Sequence, residues 1–202
     1  MLDSSSDLKI KFQQDLLSKD PEKMVSLWLL EKIPYIFHDD QELFIDWKIT
    51  LAQKLQVNVA SIILVGSSCV GLSLNPYKNY RSFNQSSDID IAVVSDYYFN
   101  EAWRFFRNLG VRIHSLRPKE KQIIDEHVRK YIYWGTIATD HILPLFPFGR
   151  KWQQALLEMS QVCPTQGREL KIRLYKDFES LRGYHINNLI DLRSYLLDRK
   201  EE

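Results

Sequence analysis

The feature that most constrains the fold is a strand-like run in which two acids alternate with apolar residues. It reads Asp88-Ile89-Asp90-Ile91-Ala92-Val93-Val94. Because successive side chains of a strand point to opposite faces, Asp88 and Asp90 lie on one face of it. The run predicts a largely buried strand that carries two neighbouring carboxylates. The alternative is an exposed edge strand whose charges discourage aggregation.

A second strand-like run ends at a turn of small residues. Ile62-Ile63-Leu64-Val65 is followed directly by Gly66-Ser67-Ser68. Glycine allows a ligand to approach the backbone closely, and backbone N–H groups together with the Ser67 hydroxyl can bind phosphate oxygens. The turn therefore indicates a phosphate site, although Ser67 and Ser68 can also be ordinary turn residues.

Amphipathic helices are predicted before the first strand. One begins with Asp20 as N-cap and Pro21 at its first position, and a second runs from about Asp40 to Leu55, where apolar residues recur at helical spacing. Beyond the second strand the pattern and composition predict a helix ending at Leu109, a short strand over Val111 to Ile113, a helix over Pro118 to about Lys130, and a strand region over Tyr131 to Leu145.

The C-terminal part carries an apolar stripe at helical spacing. From Leu174 to Leu196 apolar residues recur every three or four positions, with His185 among them, and predict one long helix. The stripe either lies across its own domain or forms an interface with a protein partner or a second copy. We thus expect an α/β (α+β) single domain over 1–202, with N-terminal helices over 1–57, a mixed-sheet core over 58–148 and C-terminal helices over 149–202.

Composition and charge exclude several other classes of protein. A hydrophobic fraction of 45% supports a full core, and 27 basic against 26 acidic residues leave no overall field that recruits nucleic acid or anionic lipid. No apolar stretch approaches the roughly 20 residues of a membrane helix. The acidic N-terminal segment does not resemble a targeting peptide, and two cysteines fit a reducing compartment. We expect a cytoplasmic protein that does not enter a membrane.

The two acids and the small-residue turn suggest phosphate chemistry. Carboxylates two apart on a strand can bind divalent cations, because Mg²⁺ prefers oxygen ligands and bridges carboxylates to phosphate oxygens. Lys78 and Arg81, between the two strands, can neutralise a triphosphate. If the strands are neighbours, the turn and the acids meet at one site.

These segments resemble the nucleotidyltransferase superfamily of DNA polymerase beta, whose small members share a Gly-Ser turn followed by an acid, an apolar residue and a second acid. Val65-Gly66-Ser67 and Ser86-Ser87-Asp88-Ile89-Asp90-Ile91 match that pattern, and the resemblance covers about Ser61 to Val94, with weaker support to Leu145. It implies a nucleotidyltransferase-like mixed sheet in which Gly66 and Ser67 bind a nucleoside triphosphate and Asp88 and Asp90 ligate Mg²⁺ or Mn²⁺.

The resemblance also implies the reaction, which is transfer of a nucleoside monophosphate to the hydroxyl of an unknown acceptor with release of pyrophosphate. It further implies a third acid on a later strand, for which Asp140 is our choice, as a metal ligand or as the base for the acceptor hydroxyl; otherwise Asp140 is a strand-end or capping acid. Asp88 follows Gly66 by 22 positions, which is longer than usual, so a segment over 73–87 is an insertion. The alternative function is a catalytically silent binding or regulatory module of the same fold, in a toxin–antitoxin or phage-defence system.

Overall fold

A mixed sheet lies at the centre of the chain. The computed structural model describes residues 4–201, and within them four strands pair in the order β1-β2-β4-β3. β1 (Ile62–Val65) is antiparallel to β2 (Ile89–Val94), β2 is parallel to β4 (Leu170–Tyr175), and β3 (Thr136–Ala138) is antiparallel to β4. The mixed α/β class predicted from the sequence is confirmed.

Helices surround this sheet and account for most of the chain. The α-helices within residues 4–201 are α1 (Ser4–Ser18), α2 (Pro21–Val25), α3 (Gln41–Leu55), α4 (Gly66–Val70), α5 (Asp96–Leu109), α6 (Pro118–Glu126), α7 (Gly149–Met159) and α8 (Phe178–Glu201). The predicted caps are confirmed: the Asp20 carboxylate accepts a hydrogen bond from the Glu22 N–H (2.8 Å), and Asp40 accepts one from the Leu43 N–H (2.9 Å).

The two faces of the sheet are covered differently. One face packs against α3, α5 and α7 in the largest hydrophobic cluster, which contains Ile91 and Ile172 from the central strands. The other face is covered by α8 only toward the ends of β2 and β4, where Val94, Tyr175 and Leu181 pack together. The starts of β2 and β4 on this second face are therefore left for polar side chains.

The apolar stripe of α8 is buried within the chain. Leu189, Leu192 and Leu196 pack against Phe12 of α1 and Met24 of α2, and all five side chains are buried. Most of the stripe therefore packs within its own domain, which is the first of the two interpretations given above.

Of the two strand predictions after β2, the first is wrong and the second is confirmed only over three residues. Gly110–Ser115 forms 3₁₀ turns, so the expected strand over 111–113 does not form. Of the region predicted as strand over 131–145, only Thr136–Ala138 is extended, because helical turns continue to Trp134 and end at Gly135, whose φ is +63°. The aromatic and β-branched residues there pack from helical turns, so tertiary packing overrides their strand propensity.

The prediction of helix from Leu174 onward is also wrong at its start. Leu170–Tyr175 is the strand β4, and the helix begins only at Phe178. The segment 149–202 therefore contributes a central strand of the sheet in addition to its helices. Alternate residues of β4, among them Leu170, Ile172 and Leu174, are buried in the main core.

Candidate active site

Four charged side chains lie together on the second face of the sheet. Asp88 and Asp90 alternate with the buried isoleucines of β2, and Lys171 and Arg173 alternate with the buried apolar residues of β4. The parallel register pairs Asp90 with Lys171 and Ala92 with Arg173. Two acids of one strand thus lie beside two bases of its neighbour, where α8 leaves the sheet uncovered.

Lys171 is the direct partner of Asp88. Its Nζ lies 2.7 Å from Asp88 Oδ2 and 3.5 Å from Glu169 Oε2. Burial raises the pKa of Asp88, but the hydrogen bond and the charge of Lys171 outweigh burial and hold the pKa below its usual value. The same hydrogen bond raises the pKa of Lys171. Both groups are therefore charged at neutral pH.

Asp90 has the opposite electrostatic environment. Burial, followed by the negative charges of Asp88 and Asp140, raises its pKa to about 6, although Lys171 and Arg173 oppose this shift. A carboxyl of this kind exchanges its proton close to neutral pH.

The backbone of Gly66 lies directly against the Asp90 carboxylate. β1 and β2 pair Val65 with Asp90, and Gly66 then turns the chain with a φ of +65°. A Cβ placed on Gly66 would lie 2.4 Å from Asp90 Oδ2. The absence of a side chain at Gly66 is thus what lets the small-residue turn approach the acid, as the sequence predicts for this pair of strands.

The two serines of the turn have different positions. Ser67 lines a polar cleft of about 340 Å³ together with Lys78, Arg81 and Asp88, and Lys171 lies at the same cleft. The Ser68 hydroxyl is instead buried and donates a hydrogen bond to the Val65 carbonyl (3.1 Å). We therefore place Ser67, Lys78 and Arg81 at the site and leave the Ser68 side chain out of it.

The inserted segment 73–87 forms a wall of this polar cleft. Arg168 holds its end in place, because its Nη1 donates hydrogen bonds to the carbonyls of Asn84 (2.6 Å) and Ser87 (3.0 Å). The Arg168 guanidinium carbon also lies 4.5 Å from the centre of the Phe83 ring. The insertion is thus packed against the start of β4, with Lys78 and Arg81 facing the cleft.

A second cavity, of about 370 Å³, lies between the sheet and α8. From the sheet it is lined by Gly66, Asp90 and Arg173, and from α8 by Tyr184 and Asn188. Asp140, which follows β3 and is exposed, lines the same cavity. Lys171 borders both cavities. Asp88 therefore faces the polar cleft, Asp90 and Asp140 face the second cavity, and Lys171 lies at both.

The carboxylates can be compared with what a divalent cation needs. Within residues 4–201 no group of three or more His, Cys, Asp or Glu side chains is placed to hold a metal ion together. Mg²⁺, however, is commonly held by one or two carboxylates plus substrate phosphates and water. Asp88 and Asp90, which share one face of β2, fit that requirement, whereas Lys171 competes for Asp88.

Three functional candidates at this site escaped sequence analysis. Lys171 and Arg173 lie on a strand that was expected to be helix, and Arg168 precedes it. The period-2 alternation of Leu170-Lys171-Ile172-Arg173-Leu174 is the signal that predicts a strand here. This alternation places both bases on one face of the sheet, the same face that carries the acids of β2.

No protein-family model, curated protein or solved structure matches this chain. In the part of the chain that the structure describes, no helix combines the length and apolar character that a bilayer crossing requires.

Proposed function

We propose that this protein is a nucleotidyltransferase that moves a nucleoside monophosphate from a nucleoside triphosphate to an acceptor hydroxyl. The carrying observation is the contact between Gly66 and Asp90, because it brings the small-residue turn against a strand that presents two carboxylates on one face. Asp88 and Asp90 would hold Mg²⁺ or Mn²⁺, which when bound neutralises charge on the phosphates and polarises the α-phosphate.

The side chains of the polar cleft have the charge to bind a triphosphate. Lys78 and Arg81 supply two cations in addition to the Lys171 ammonium, which is paired with Asp88 and Glu169, and Ser67 supplies a hydroxyl donor. The polar cleft therefore accounts for the β- and γ-phosphates, with the α-phosphate at the carboxylates.

The reaction then proceeds at the border of the two cavities. The acceptor oxygen forms a bond to the α-phosphorus, and the bond from this phosphorus to the oxygen that bridges to the β-phosphate breaks. Pyrophosphate leaves with that electron pair, and the proton of the acceptor hydroxyl passes to the Asp140 carboxylate, which lines the same cavity as Asp90. The residues of this chain thus orient both substrates and accept one proton.

The test follows both products of the reaction. The protein is incubated with each ribonucleoside triphosphate, labelled at the α-phosphate, plus Mg²⁺ or Mn²⁺, with the small-molecule and macromolecular fractions of a cell extract as acceptors. We expect pyrophosphate release and label transfer that Asp88→Asn and Asp90→Asn abolish. Asp125→Asn, an exposed acid of α6, is the matched control and should retain activity. Absence of both products in both fractions would refute the proposal.

One observation favours a second function, a catalytically silent module that binds polyphosphate without metal. Lys171 already neutralises Asp88 within the chain, as a bound cation would. In this function triphosphate binding persists in EDTA and is weakened by Lys171→Gln. If the protein is instead a metal-dependent transferase, Lys171→Gln frees Asp88 and should strengthen Mn²⁺ binding measured by calorimetry. Because Lys171→Gln frees Asp88 in either case, the two functions are separated by triphosphate binding that persists in EDTA and is not followed by pyrophosphate release when Mn²⁺ is supplied.

A further inference from the structure

Arg173 has an unused hydrogen-bonding group beside the candidate site. Its guanidinium carbon lies 5.3 Å from the centre of the Tyr131 ring and 4.9 Å from that of Tyr184. The two aromatic rings hold the guanidinium in place, and its Nη1 is buried with no hydrogen-bond partner among the described residues. A buried, charged N–H donor without an acceptor is costly, so we expect an acceptor from outside the protein, either an ordered water or a ligand oxygen, to satisfy it.

Arg173 lines the second cavity, which lies between the sheet and α8. Three acids also line this cavity: Asp90, Asp140 and Asp191. Asp140 and Asp191 are exposed, whereas the Nη1 of Arg173 is buried. On the side of the sheet the cavity thus has two cations, Arg173 and Lys171, beside the Asp90 carboxyl, and at its exposed side it has the carboxylates of Asp140 and Asp191. A ligand that fits this distribution places an anionic oxygen at Arg173.

The size of the cavity limits the ligand to a small molecule. Its volume of about 370 Å³ is at the lower end of the range of metabolite pockets, roughly 300–1,000 Å³. On the side away from the sheet it is lined by Tyr184, His185, Asn188 and Leu192 of α8. A molecule of the size of a nucleotide or smaller fits, whereas a helical nucleic acid does not.

From these observations we infer that the second cavity binds the acceptor, and that the acceptor is a small hydroxylated molecule carrying an oxyanion, a phosphate or a carboxylate, which Arg173 anchors. This inference rests on the proposed function and specifies its substrate class. The donor phosphates occupy the polar cleft on the Asp88 side, and the acceptor occupies the cavity on the Asp90 side. The acceptor hydroxyl then lies at Asp90 and Asp140, with its oxyanion directed inward to Arg173.

The test measures binding without catalysis. The full chain is titrated in EDTA, without triphosphate, with glycerol 3-phosphate, glycerate and glycerol, which share hydroxyl groups and differ in the oxyanion. We expect one or both anions to bind and glycerol not to bind at the same millimolar concentrations. Arg173→Gln should weaken that binding about tenfold or more, since a hydrogen bond to a charged group contributes about 1.5–3 kcal/mol.

Two further variants make the result decisive. Lys78→Gln, in the polar cleft, should leave the Arg173-dependent binding unchanged, and Arg173→Lys, which keeps the charge but loses the planar fork, should retain part of the affinity. If Arg173→Gln does not fold, as judged by circular dichroism, Arg173→Lys decides the question. Equal binding of glycerol, or anion binding that no Arg173 variant weakens, or no anion binding at all, would overturn the inference.

Comparison of glycerol 3-phosphate with glycerate shows whether the site prefers a phosphate or a carboxylate. Because neither metal nor triphosphate is present, failure here is distinguishable from failure of the proposed function. Pyrophosphate release without Arg173-dependent anion binding would mean a transferase whose acceptor binds elsewhere. Arg173-dependent binding without pyrophosphate release would retain the anion site and refute the transferase.

Discussion

Replacement of Gly66 by alanine tests whether the close approach of the turn to Asp90 is built into the fold. The substitution introduces two separate problems. Gly66 has a φ of +65°, in the left-handed region that disfavours a side chain, and its new Cβ would lie 2.4 Å from Asp90 Oδ2 and 3.3 Å from Asp90 Cγ. The first problem is local to the backbone, and the second requires the Asp90 carboxylate to move.

The magnitudes of the two effects can be separated. A non-glycine residue in the left-handed region costs about 1–2 kcal/mol. Relieving the clash by rotating a half-buried carboxylate adds about 1–3 kcal/mol, as overpacking does elsewhere. Gly66→Ala should therefore lower the free energy of unfolding by about 2–5 kcal/mol.

Gly167→Ala is the matched control for this substitution. Gly167 has a φ of +72°, and nothing lies within 4 Å of a Cβ built there. It should lose only the backbone contribution of about 1–2 kcal/mol. Gly183→Ala, inside α8 and also in open space, should instead stabilise the protein by about 0.5–1 kcal/mol, because alanine is the better helix former.

Urea unfolding of the three variants and the wild type measures these differences, and thermal unfolding gives a second measure at about 2–4 °C per kcal/mol for a chain of this size. The difference between Gly66→Ala and Gly167→Ala isolates the contact with Asp90. Equal losses of stability in the two variants would refute the contact, and with it the observation on which the proposed function depends.

Three further predictions concern ionisation, the stripe of α8 and the two thiols. Since burial raises the pKa of Asp90 to about 6, the folded state holds the proton more tightly than the unfolded state, and this group costs stability as pH rises from about 4 through 6. Asp90→Asn should therefore be more stable than wild type by about 1–3 kcal/mol at pH 7, with the gain vanishing near pH 4; a gain that does not change with pH in urea titrations would contradict the assignment. Leu189→Asp should destabilise the fold by about 3 kcal/mol or more without changing the molar mass in light scattering, because Leu189 is buried within its own chain; dissociation of an oligomer would contradict this. Cys163 is exposed, whereas burial raises the pKa of the Cys69 thiol to about 12. Native protein should therefore react with Ellman's reagent at one cysteine, and unfolded protein at two. Rapid labelling of Cys69 in native protein would show that the core around it is open.

The sequence predicts the elements whose local signals agree with their tertiary setting. The N-caps Asp20 and Asp40, the strands β1 and β2, and the shared face of Asp88 and Asp90 all follow from capping preference and period-2 alternation. The approach of Gly66 to Asp90 can be predicted for the same reason, because it follows from the pairing of β1 with β2. Neighbouring strands of a hairpin-like pair are the easiest long-range contact to anticipate.

The missed half of the site lies on β4. Leu174 begins an apolar series at helical spacing, and this series obscured the strict alternation that precedes it from Leu170. Lys171 and Arg173 also look like solvent-exposed residues in the sequence, because their surroundings depend on parallel pairing with a strand far away in the chain. Periodicity alone does not reveal such a partner, so the cations that balance the two acids could not be assigned.

The order of the strands has a consequence for synthesis on the ribosome. β2 is complete long before its partner β4, since residues 95–169 are translated between them, and until then the edge of β2 that β4 will cover has unpaired N–H and C=O groups. Such an edge is a template for aggregation with other nascent chains. Asp88 and Asp90 lie at the start of that edge without the ammonium of Lys171 to neutralise Asp88, and their charge repels a similar strand. The two carboxylates thus oppose aggregation of the nascent chain until β4 pairs with β2, and after that pairing they become part of the site.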